Sequence, residues 1–284
     1  MAHRAASPRR QRPLTLTERD LVLLSFLAEH RLALPTHAAV LLGVSVKTAG
    51  ARLTRLDQGG FARGQDPVPG EPRWYRITRK GLATIGSGLP PPRIDLRTYR
   101  HDVGVAWVWL AARSGTFGPL AEIIAERRLR SQDAGRASGS HSPGPHPSEP
   151  GRHPPGPLGV RLGGFGPRGG ARLHYPDLVL RTADGRRIAL ELELSSKGRP
   201  RLETILSGYG ADSRFDGVVY LVESRSVAQA VERAARRLGI SRLVHVQRVR
   251  STVSRPAAAA ALSAERVAPA RTASAGHVGV EVAR

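Results

Sequence analysis

The sequence contains no cysteine and few aromatic residues, and both deficits limit what the protein can be. Without cysteine there are no disulfides and no thiolate metal sites. Phe, Trp and Tyr make up 5% of the residues, which argues against an extended base-stacking surface for single strands. No apolar run is long enough to cross a bilayer, and the basic N-terminus lacks a following apolar signal segment. We therefore expect a cytoplasmic protein that does not enter membranes.

Acidic residues are also scarce. Asp and Glu number 23 against 44 Lys and Arg, which gives a formal net charge of +21. A soluble protein this basic usually meets a polyanion, and counterion release from nucleic acid is the commonest driving force. Arginine enrichment from a GC-rich genome is the alternative. The positions of the charges favour double-stranded DNA as the partner, and the oligomeric state stays open, a homodimer included.

The length of 284 residues suggests one to three domains. Residues 131–170 hold 11 Gly and 8 Pro, which predicts a disordered insertion. Four histidines in or beside it fit no regular metal-site spacing and are assigned to the same tract: His141, His146, His153 and His174. The predicted segments are a disordered basic arm (1–13), a compact helical unit with a hairpin (14–88), a linker (89–98), an α/β domain containing the insertion (99–250) and a disordered tail (251–284).

Residues 14–88 show the pattern of three helices, a two-stranded hairpin and a last helix. Thr15 or Thr17 is suited to cap the first helix, Ser45 the third and Thr78 the last. Gly43 predicts a sharp turn between the second and third helices. The sequence therefore indicates a small helical unit with well-marked helix ends.

The third predicted helix has an apolar face formed by Ala49, Leu53 and Leu56. Polar and basic side chains at the start and on the other side are then expected to point outward: Ser45, Lys47, Thr48, Arg52 and Arg55. The predicted hairpin carries further basic residues: Arg63, Arg73 and Arg76.

This arrangement resembles the winged helix-turn-helix family over about residues 14–88. The resemblance is carried by Ala39, Gly43, Val44, Ser45, Leu53, Leu56 and the glycine pair before Phe61. In such proteins the third helix enters the major groove, and the wing touches the backbone or the minor groove. The resemblance implies that the outward residues of the third helix contact base edges or phosphates and that the three hairpin arginines lie on the wing. A small helical domain used for protein contacts is the alternative.

From Tyr99 onward the pattern predicts helix, strand, strand, strand, helix, strand, helix and strand, which is an α/β sandwich with a mixed sheet. The first strand is expected to carry Glu126, and the second Pro176 and Asp177. In the third strand Glu191 and Glu193 alternate with apolar residues, so they share one face. The whole chain is therefore expected to be an α+β protein.

The second and third predicted strands, joined by a short turn, can bring Asp177 close to Glu191 and Glu193. Such hard oxygen ligands suit Mg²⁺ and in-line attack on a phosphodiester. The two glutamates also repel each other on one face, and a cation or nearby arginines would relieve that repulsion. The alternative is the exposed face of an edge strand.

The strand order, the Pro-Asp pair and the Glu-X-Glu element resemble the restriction-endonuclease-like fold of the PD-(D/E)XK nucleases. The resemblance implies that Asp177 and Glu191 hold the metal. The family's lysine, two residues after that glutamate, is replaced here by Glu193. Three readings stay open: Lys197 is a displaced substitute, Glu193 acts as base or third ligand, or the site is inactive.

The combination of both halves resembles the replication-relaxation family over about residues 14–222. Its carriers in the second half are His101-Asp102, Glu126 before Arg-Arg-Leu-Arg, Pro176-Asp177 and Glu191-Leu192-Glu193 leading to Tyr209. These proteins are encoded on plasmids and integrative elements of Gram-positive bacteria. The resemblance implies DNA binding in plasmid replication and relaxation, with an acidic group made of Glu126, Asp177, Glu191 and Glu193 and with His101 on the preceding helix. A transcription regulator with a non-catalytic C-terminal domain and a structural accessory protein are the alternatives.

Overall fold

The computed structural model describes residues 14–66, 71–139, 158–166, 169–195 and 197–249. The predicted arm, the predicted tail and the middle of the predicted insertion (140–157) lie outside the described residues. Within them the chain is a mixed α+β protein, as the sequence predicts. No helix in this part of the chain is long and apolar enough to span a membrane.

The N-terminal half consists of three helices, a two-stranded hairpin and a short helix. They are α1 (Glu18–Glu29), α2 (Pro35–Leu42), α3 (Val46–Gln58), β1 (Ala62–Gln65), β2 (Trp74–Ile77) and α4 (Arg79–Thr84). The predicted caps are confirmed, because the side chains of Thr17, Ser45 and Thr78 accept backbone amides at the starts of α1, α3 and α4. Gly43 ends α2 with a φ of 63°, a left-handed conformation that suits glycine.

The second half is built on a five-stranded mixed sheet. Its elements are α5 (Tyr99–Arg113), β3 (Leu120–Ala125), α6 (Glu126–Gly139), β4 (Val160–Phe165), β5 (Ala171–His174), β6 (Leu178–Thr182), β7 (Arg187–Glu193), α7 (Arg199–Ala211), β8 (Gly217–Val222), α8 (Arg225–Arg237) and β9 (Val244–Arg248). The sheet order is β3-β6-β7-β8-β9, antiparallel from β3 to β7 and parallel from β7 to β9. The predicted element order is confirmed, with α6 and the separate hairpin β4–β5 added between β3 and β6.

The structure corrects the predicted placement of Glu126. Strand β3 ends at Ala125, and Glu126 is the first residue of α6. The Glu126 amide donates to the Asp177 carbonyl at 3.0 Å. This hydrogen bond follows the pairing of β3 with β6 and lies at the point where α6 begins. Leu129 lies one turn further along α6 and is fully buried.

The predicted disordered insertion is wrong at both ends. Helix α6 continues to Gly139, and strands β4 and β5 form a hairpin on the other side of residues 140–157. The two ends are tied together, because the Asp133 carboxylate accepts the amides of Leu158 at 2.7 Å and Gly159 at 3.0 Å. The glycine and proline content of this segment therefore gave the wrong prediction. Contacts with other parts of the fold stabilise helix and strand structure there.

The predicted second strand is divided in two. Strand β5 ends at His174 and β6 begins at Leu178, with Tyr175, Pro176 and Asp177 between them. Proline has no amide hydrogen to donate to a ladder, so a strand breaks readily at that residue. Asp177 consequently lies just before a strand of the main sheet instead of within one.

Helix α5 packs between the N-terminal helices and the sheet. Its Ala106 and Leu110 belong to the apolar core of the N-terminal half, whereas Val108 and Ala112 pack against β6 and β7. Gly104 permits a close approach, because an added Cβ would meet a side-chain carbon of β7 at 2.5 Å. Helices α7 and α8 cover the opposite face of the sheet. The two halves therefore share one helix.

Candidate functional site

The two glutamates of β7 lie on the central strand of the sheet and are buried. Glu191 is 3% exposed and Glu193 is 6% exposed. Strand β7 pairs with β6 on one side and β8 on the other, so it is not an edge strand. Leu190 and Leu192 pack on the α5 side, and Glu191 contacts Tyr209 of α7 on the opposite side. The predicted alternation is confirmed, and the alternative of a solvated edge-strand face is wrong.

Asp177 lies where β6 begins and faces the end of β7. Leu178 pairs with Leu190, and the continuing register places Asp177 beside Glu191. Its Oδ2 accepts the Leu192 amide at 2.8 Å and lies 3.1 Å from His101 Nε2 of α5. Burial raises the pKa of Asp177, but the charge and hydrogen bonds around it, those of His101 foremost, outweigh burial and lower the pKa. We name Asp177, Glu191 and Glu193 the acidic cluster.

Glu191 is held by a histidine and a tyrosine. His174 Nε2 lies 2.6 Å from Glu191 Oε1, and the Tyr209 hydroxyl donates to the same oxygen. Burial, followed by the nearby charge of Glu191, raises the pKa of Tyr209 well above its usual value. Tyr209 is therefore a neutral hydrogen-bond donor across the physiological range.

Glu193 forms an ion pair with Lys197, four residues later in the chain. Burial raises the pKa of Glu193, and the ammonium group of Lys197 partly opposes that rise. Lys197, from beyond the end of β7, therefore brings a positive charge to the carboxylate of Glu193.

The two histidines bring positive charge to the acidic cluster. Burial lowers the pKa of His101, but Asp177 and Asp102 outweigh burial and raise the pKa to about 10. Burial opposes protonation of His174 as well, and Glu191 reverses the effect, so its pKa is also raised. Each carboxylate of the acidic cluster therefore has a basic partner within the protein: His101, His174 or Lys197.

One oxygen of each of these carboxylates accepts no hydrogen bond from the described residues: Asp177 Oδ1, Glu191 Oε2 and Glu193 Oε1. In the same part of the chain, no three acidic or histidine side chains form a complete metal-binding group. Mg²⁺, however, is usually held by one or two carboxylates, while waters and substrate phosphates complete its shell. The donor set of Asp177 and Glu191 fits that kind of partial site.

Glu126 takes part in a contact between the two halves of the protein. Its carboxylate accepts Arg31 at 2.7 Å and Arg130 at 2.7 Å. Arg31 also pairs with Asp102 at 3.2 Å. Glu126 and Asp177 line the same small cleft of about 20 Å³, which is room for about one water. The carboxylate of Glu126 forms ion pairs with two arginines. Its structural role is therefore to join the N-terminal helices to α5 and α6.

Five of the predicted DNA-contacting residues are exposed and form no ion pair with the described residues: Ser45, Lys47, Thr48, Arg55 and Arg63. The hydroxyls of Ser45 and Thr48 lie 2.9 Å apart at the start of α3. Lys47 and Arg55 extend from the same helix, and Arg63 from β1. We refer to these five exposed residues together as the α3–β1 face.

The other three predicted contacts are held within the protein. Arg52 pairs with Asp20 at 2.8 Å and bonds Thr17 at the start of α1. Arg73 bridges two aspartates, Asp57 and Asp66. Arg76 donates to a backbone carbonyl of the linker at 3.4 Å. The expectation that Arg52 simply points outward is therefore wrong, because its guanidinium is already paired.

Two contributors to the site escaped the sequence analysis. His174 was assigned to a disordered histidine tract, yet it ends β5 and binds Glu191. Arg31 carried no motif, yet it links the N-terminal half to Asp102 and Glu126. The sequence signal for His174 was its place three residues before Asp177, whereas nothing in the local pattern around Arg31 indicates its partners.

Comparison with known proteins finds no protein-family model and no curated protein that matches this chain. Among the described residues, two features are the most informative about function: the acidic cluster on the central sheet and the α3–β1 face of the N-terminal half.

Proposed function

We propose that this chain is a double-stranded-DNA-binding protein of a plasmid or integrative element, acting in replication initiation or relaxation of plasmid DNA. In this proposal the N-terminal half contacts the duplex, and the C-terminal half is a nuclease-like domain. The observation that carries the proposal is the pair Asp177 and Glu191, adjacent across β6 and β7 at the centre of a mixed sheet. The resemblance to the replication-relaxation family supplies the biological setting.

The N-terminal half supports duplex binding through its element order and its charges. Helices α2 and α3 meet at Gly43, and β1 and β2 form a hairpin after α3, which is the order of a winged helix-turn-helix. Lys47, Arg55 and Arg63 are exposed without internal acidic partners among the described residues. In a winged helix these positions meet phosphates, where each neutralised charge releases counterions and strengthens binding.

The C-terminal half supports a nuclease-like assignment through its topology. The order α5, β3, β6, β7, α7, β8, with β6 antiparallel and β8 parallel to β7, fits a PD-(D/E)XK core. The aspartate stands at the start of one strand, and the glutamate stands on the next. The hairpin β4–β5 and helix α6 are additions to that core between β3 and β6.

Asp177 and Glu191 are the residues that would hold Mg²⁺. A bound ion would stabilise negative charge on a phosphodiester and would lower the pKa of a water. Leu192 and His101 fix the orientation of the Asp177 carboxylate, and His174 and Tyr209 fix that of Glu191. In this proposal the ion pair of Lys197 and Glu193 orients the attacking water.

A non-catalytic C-terminal domain is the second candidate, and one specific observation favours it. Every carboxylate of the acidic cluster already has a basic partner, so the cluster is satisfied as a buried ion-pair network. In that case the chain is a winged-helix transcription regulator, and its sheet domain holds the N-terminal DNA-binding half in place. Both candidates use the same α3–β1 face, and they differ in the presence of magnesium chemistry.

The deciding experiment uses supercoiled plasmid with and without Mg²⁺, with the products separated on an agarose gel. The nuclease-like proposal predicts nicked circles only with Mg²⁺, and loss of nicking in Asp177→Asn and Glu191→Gln. Both substitutions keep the shape of the side chain and its capacity for hydrogen bonds. Glu122→Gln is the matched control, because this exposed glutamate pairs with Arg181 away from the cluster.

The same reactions distinguish the two candidates. Binding to duplex DNA without nicking, combined with a footprint on the chain's own promoter, identifies the regulator and rejects the nuclease. Absence of any duplex binding by the intact protein rejects both.

A further inference from the structure

The hairpin β4–β5 carries a large aromatic side chain that is mostly exposed to solvent. Phe165, at the end of β4, is 80% exposed. Glycines precede and follow it, and a Cβ added to Gly163 or Gly164 would meet no atom within 4 Å. Among the described residues Phe165 belongs to none of the apolar core clusters, so its ring is available to a partner.

The base of the same hairpin is firmly attached. Val160 is fully buried, and an added Cβ on Gly208 of α7 would lie 2.8 Å from the Arg161 carbonyl oxygen. The other strand ends at His174, which binds Glu191 of the acidic cluster. The hairpin is therefore packed against the domain at its base, next to the acidic cluster, and carries Phe165 at the opposite end.

The charge of the hairpin indicates the class of partner. Arg161 and Arg172 are exposed, and they form no ion pair with the described residues. Residues 158–174 include no aspartate or glutamate. An apolar tip flanked by arginines, without acidic residues, is complementary to a polyanion and is the composition of side chains that wedge into DNA.

We propose that the β4–β5 hairpin inserts Phe165 between base pairs of a bound DNA duplex, while Arg161 and Arg172 contact the adjacent phosphates. This inference rests on the proposed function in one respect, the binding of a duplex. Apolar wedges of this kind unstack a base step and kink the helix, and arginines beside them hold the deformed backbone. The hairpin thereby deforms the duplex next to the acidic cluster.

The length of the hairpin places the deformation relative to the acidic cluster. Phe165 pairs with Ala171, and the strand then runs to His174. Three strand steps span about 10 Å. The residue paired with Phe165 therefore lies about 10 Å along the strand from His174, which binds Glu191 of the acidic cluster.

The test measures unwinding of closed-circular plasmid. The intact protein is mixed with plasmid in EDTA, a magnesium-independent type I topoisomerase relaxes the DNA, and the deproteinised topoisomers are resolved on a gel. EDTA keeps any magnesium-dependent nick from intervening. Wild-type protein is expected to shift the distribution of linking number in proportion to the protein bound. Duplex affinity is measured in parallel by fluorescence anisotropy.

Phe165→Ser is expected to abolish the shift while duplex affinity changes by less than about tenfold, because phosphate contacts dominate affinity. Phe165→Leu is expected to retain most of the shift, since leucine also serves as a wedge. Arg161→Ala with Arg172→Ala is expected to reduce the salt dependence of binding by up to about two units. Unchanged thermal unfolding of Phe165→Ser establishes that its fold is intact.

The outcomes separate this inference from the proposed function. Duplex binding with an identical shift in wild type and Phe165→Ser overturns the wedge and leaves the proposed function standing. No duplex binding by the wild type overturns both. A change of oligomeric mass in Phe165→Ser, with DNA behaviour unchanged, identifies the tip as a protein-docking surface and also overturns the wedge.

Discussion

His101 Nε2 lies 3.1 Å from Asp177 Oδ2, so an imidazolium of α5 occupies one oxygen of the carboxylate that the proposed magnesium site requires. The pair joins the helix shared by both halves to the start of β6. The other oxygen of Asp177 accepts no hydrogen bond from the described residues. Orientation of Asp177 and stability of the fold are therefore expected to depend on the same contact.

This pair makes stability sensitive to alkaline pH. The pKa of His101 is raised from 6.5 to about 10 in the folded protein, so its stabilising contribution is complete below pH 6.5. The contribution is lost as the pH rises towards 10. We expect the urea midpoint of the wild type to fall between pH 7 and pH 10, and that of His101→Gln to change less. Equal pH dependence in both proteins would contradict the assignment.

Two other histidines predict the opposite response, at acidic pH. His30 and His37 are buried in the N-terminal half, and burial lowers the pKa of each to about 3. Their neutral forms stabilise the fold above pH 6.5, and that stability is lost as the pH falls from 6.5 towards 3. The free energy of unfolding should decrease by about 1.4 kcal/mol per pH unit for each histidine.

The variant His30→Phe tests this origin of acid sensitivity. His30 lies among aromatic rings, 4.5 Å from Phe26 and 5.6 Å from Trp109 between centroids, so a phenyl ring is a plausible replacement in shape. Chemical denaturation at pH 6.5, 6 and 5 should show a shallower loss of stability in His30→Phe. A slope equal to that of the wild type would assign the acid sensitivity to other groups.

Arg31 is expected to determine how firmly the two halves hold together. Its guanidinium pairs with Asp102 and Glu126, and the Asp102 side chain is only 3% exposed. Arg31→Ala leaves the buried Asp102 carboxylate with His101, 3.8 Å away, as its remaining cationic neighbour, and the cost is expected to be about 3 kcal/mol in the free energy of unfolding. Arg181→Ala is the control, because its pair with Glu122 is exposed and should cost less than about 1 kcal/mol. Similar costs for both variants would contradict the special position of Arg31.

The basic residues of α3 divide into Lys47 and Arg55, which are exposed, and Arg52, which pairs within the protein. Lys47→Ala with Arg55→Ala should weaken duplex binding and lower its salt slope by at most about two units, without loss of stability. Arg52→Ala should instead lower thermal stability, since Arg52 pairs with Asp20 at the start of α1. Salt-dependent anisotropy and thermal unfolding measure the two effects. Arg97→Ala, a charge loss at a side chain that is 90% exposed, is the control for net charge.

Much of the fold follows from local sequence rules. Thr17, Ser45 and Thr78 mark helix starts through side-chain caps, and strict alternation around Glu191 and Glu193 gave their shared face. These features depend on residues within a few positions of one another, so a single sequence reports them. The proposed magnesium ligands, Asp177 and Glu191, were recognisable for the same reason, because each sits in a short motif.

The features that sequence did not predict depend on distant contacts. The glycine-rich stretch before Phe165 has weak strand propensity, yet it pairs with β5 and its base packs against Gly208 of α7. Glu126 lies in a segment that reads as a continuing strand, and its helical start coincides with a bond to the Asp177 carbonyl. The partner of Arg52 lies on another helix. Helical periodicity within α3 therefore predicted that the Arg52 side chain points to solvent.

Helix α5 has no side that faces water along its centre, because Ala106 and Leu110 serve one core and Val108 and Ala112 serve another. If the chain were divided after residue 88, the first piece would expose the apolar surface that α5 covers. The second piece would expose the apolar residues of α5 that pack against the first. The two halves are consequently not independent folding units. Under the proposed function, a force that bound DNA exerts on the N-terminal half would therefore act directly on α5, the helix that carries His101.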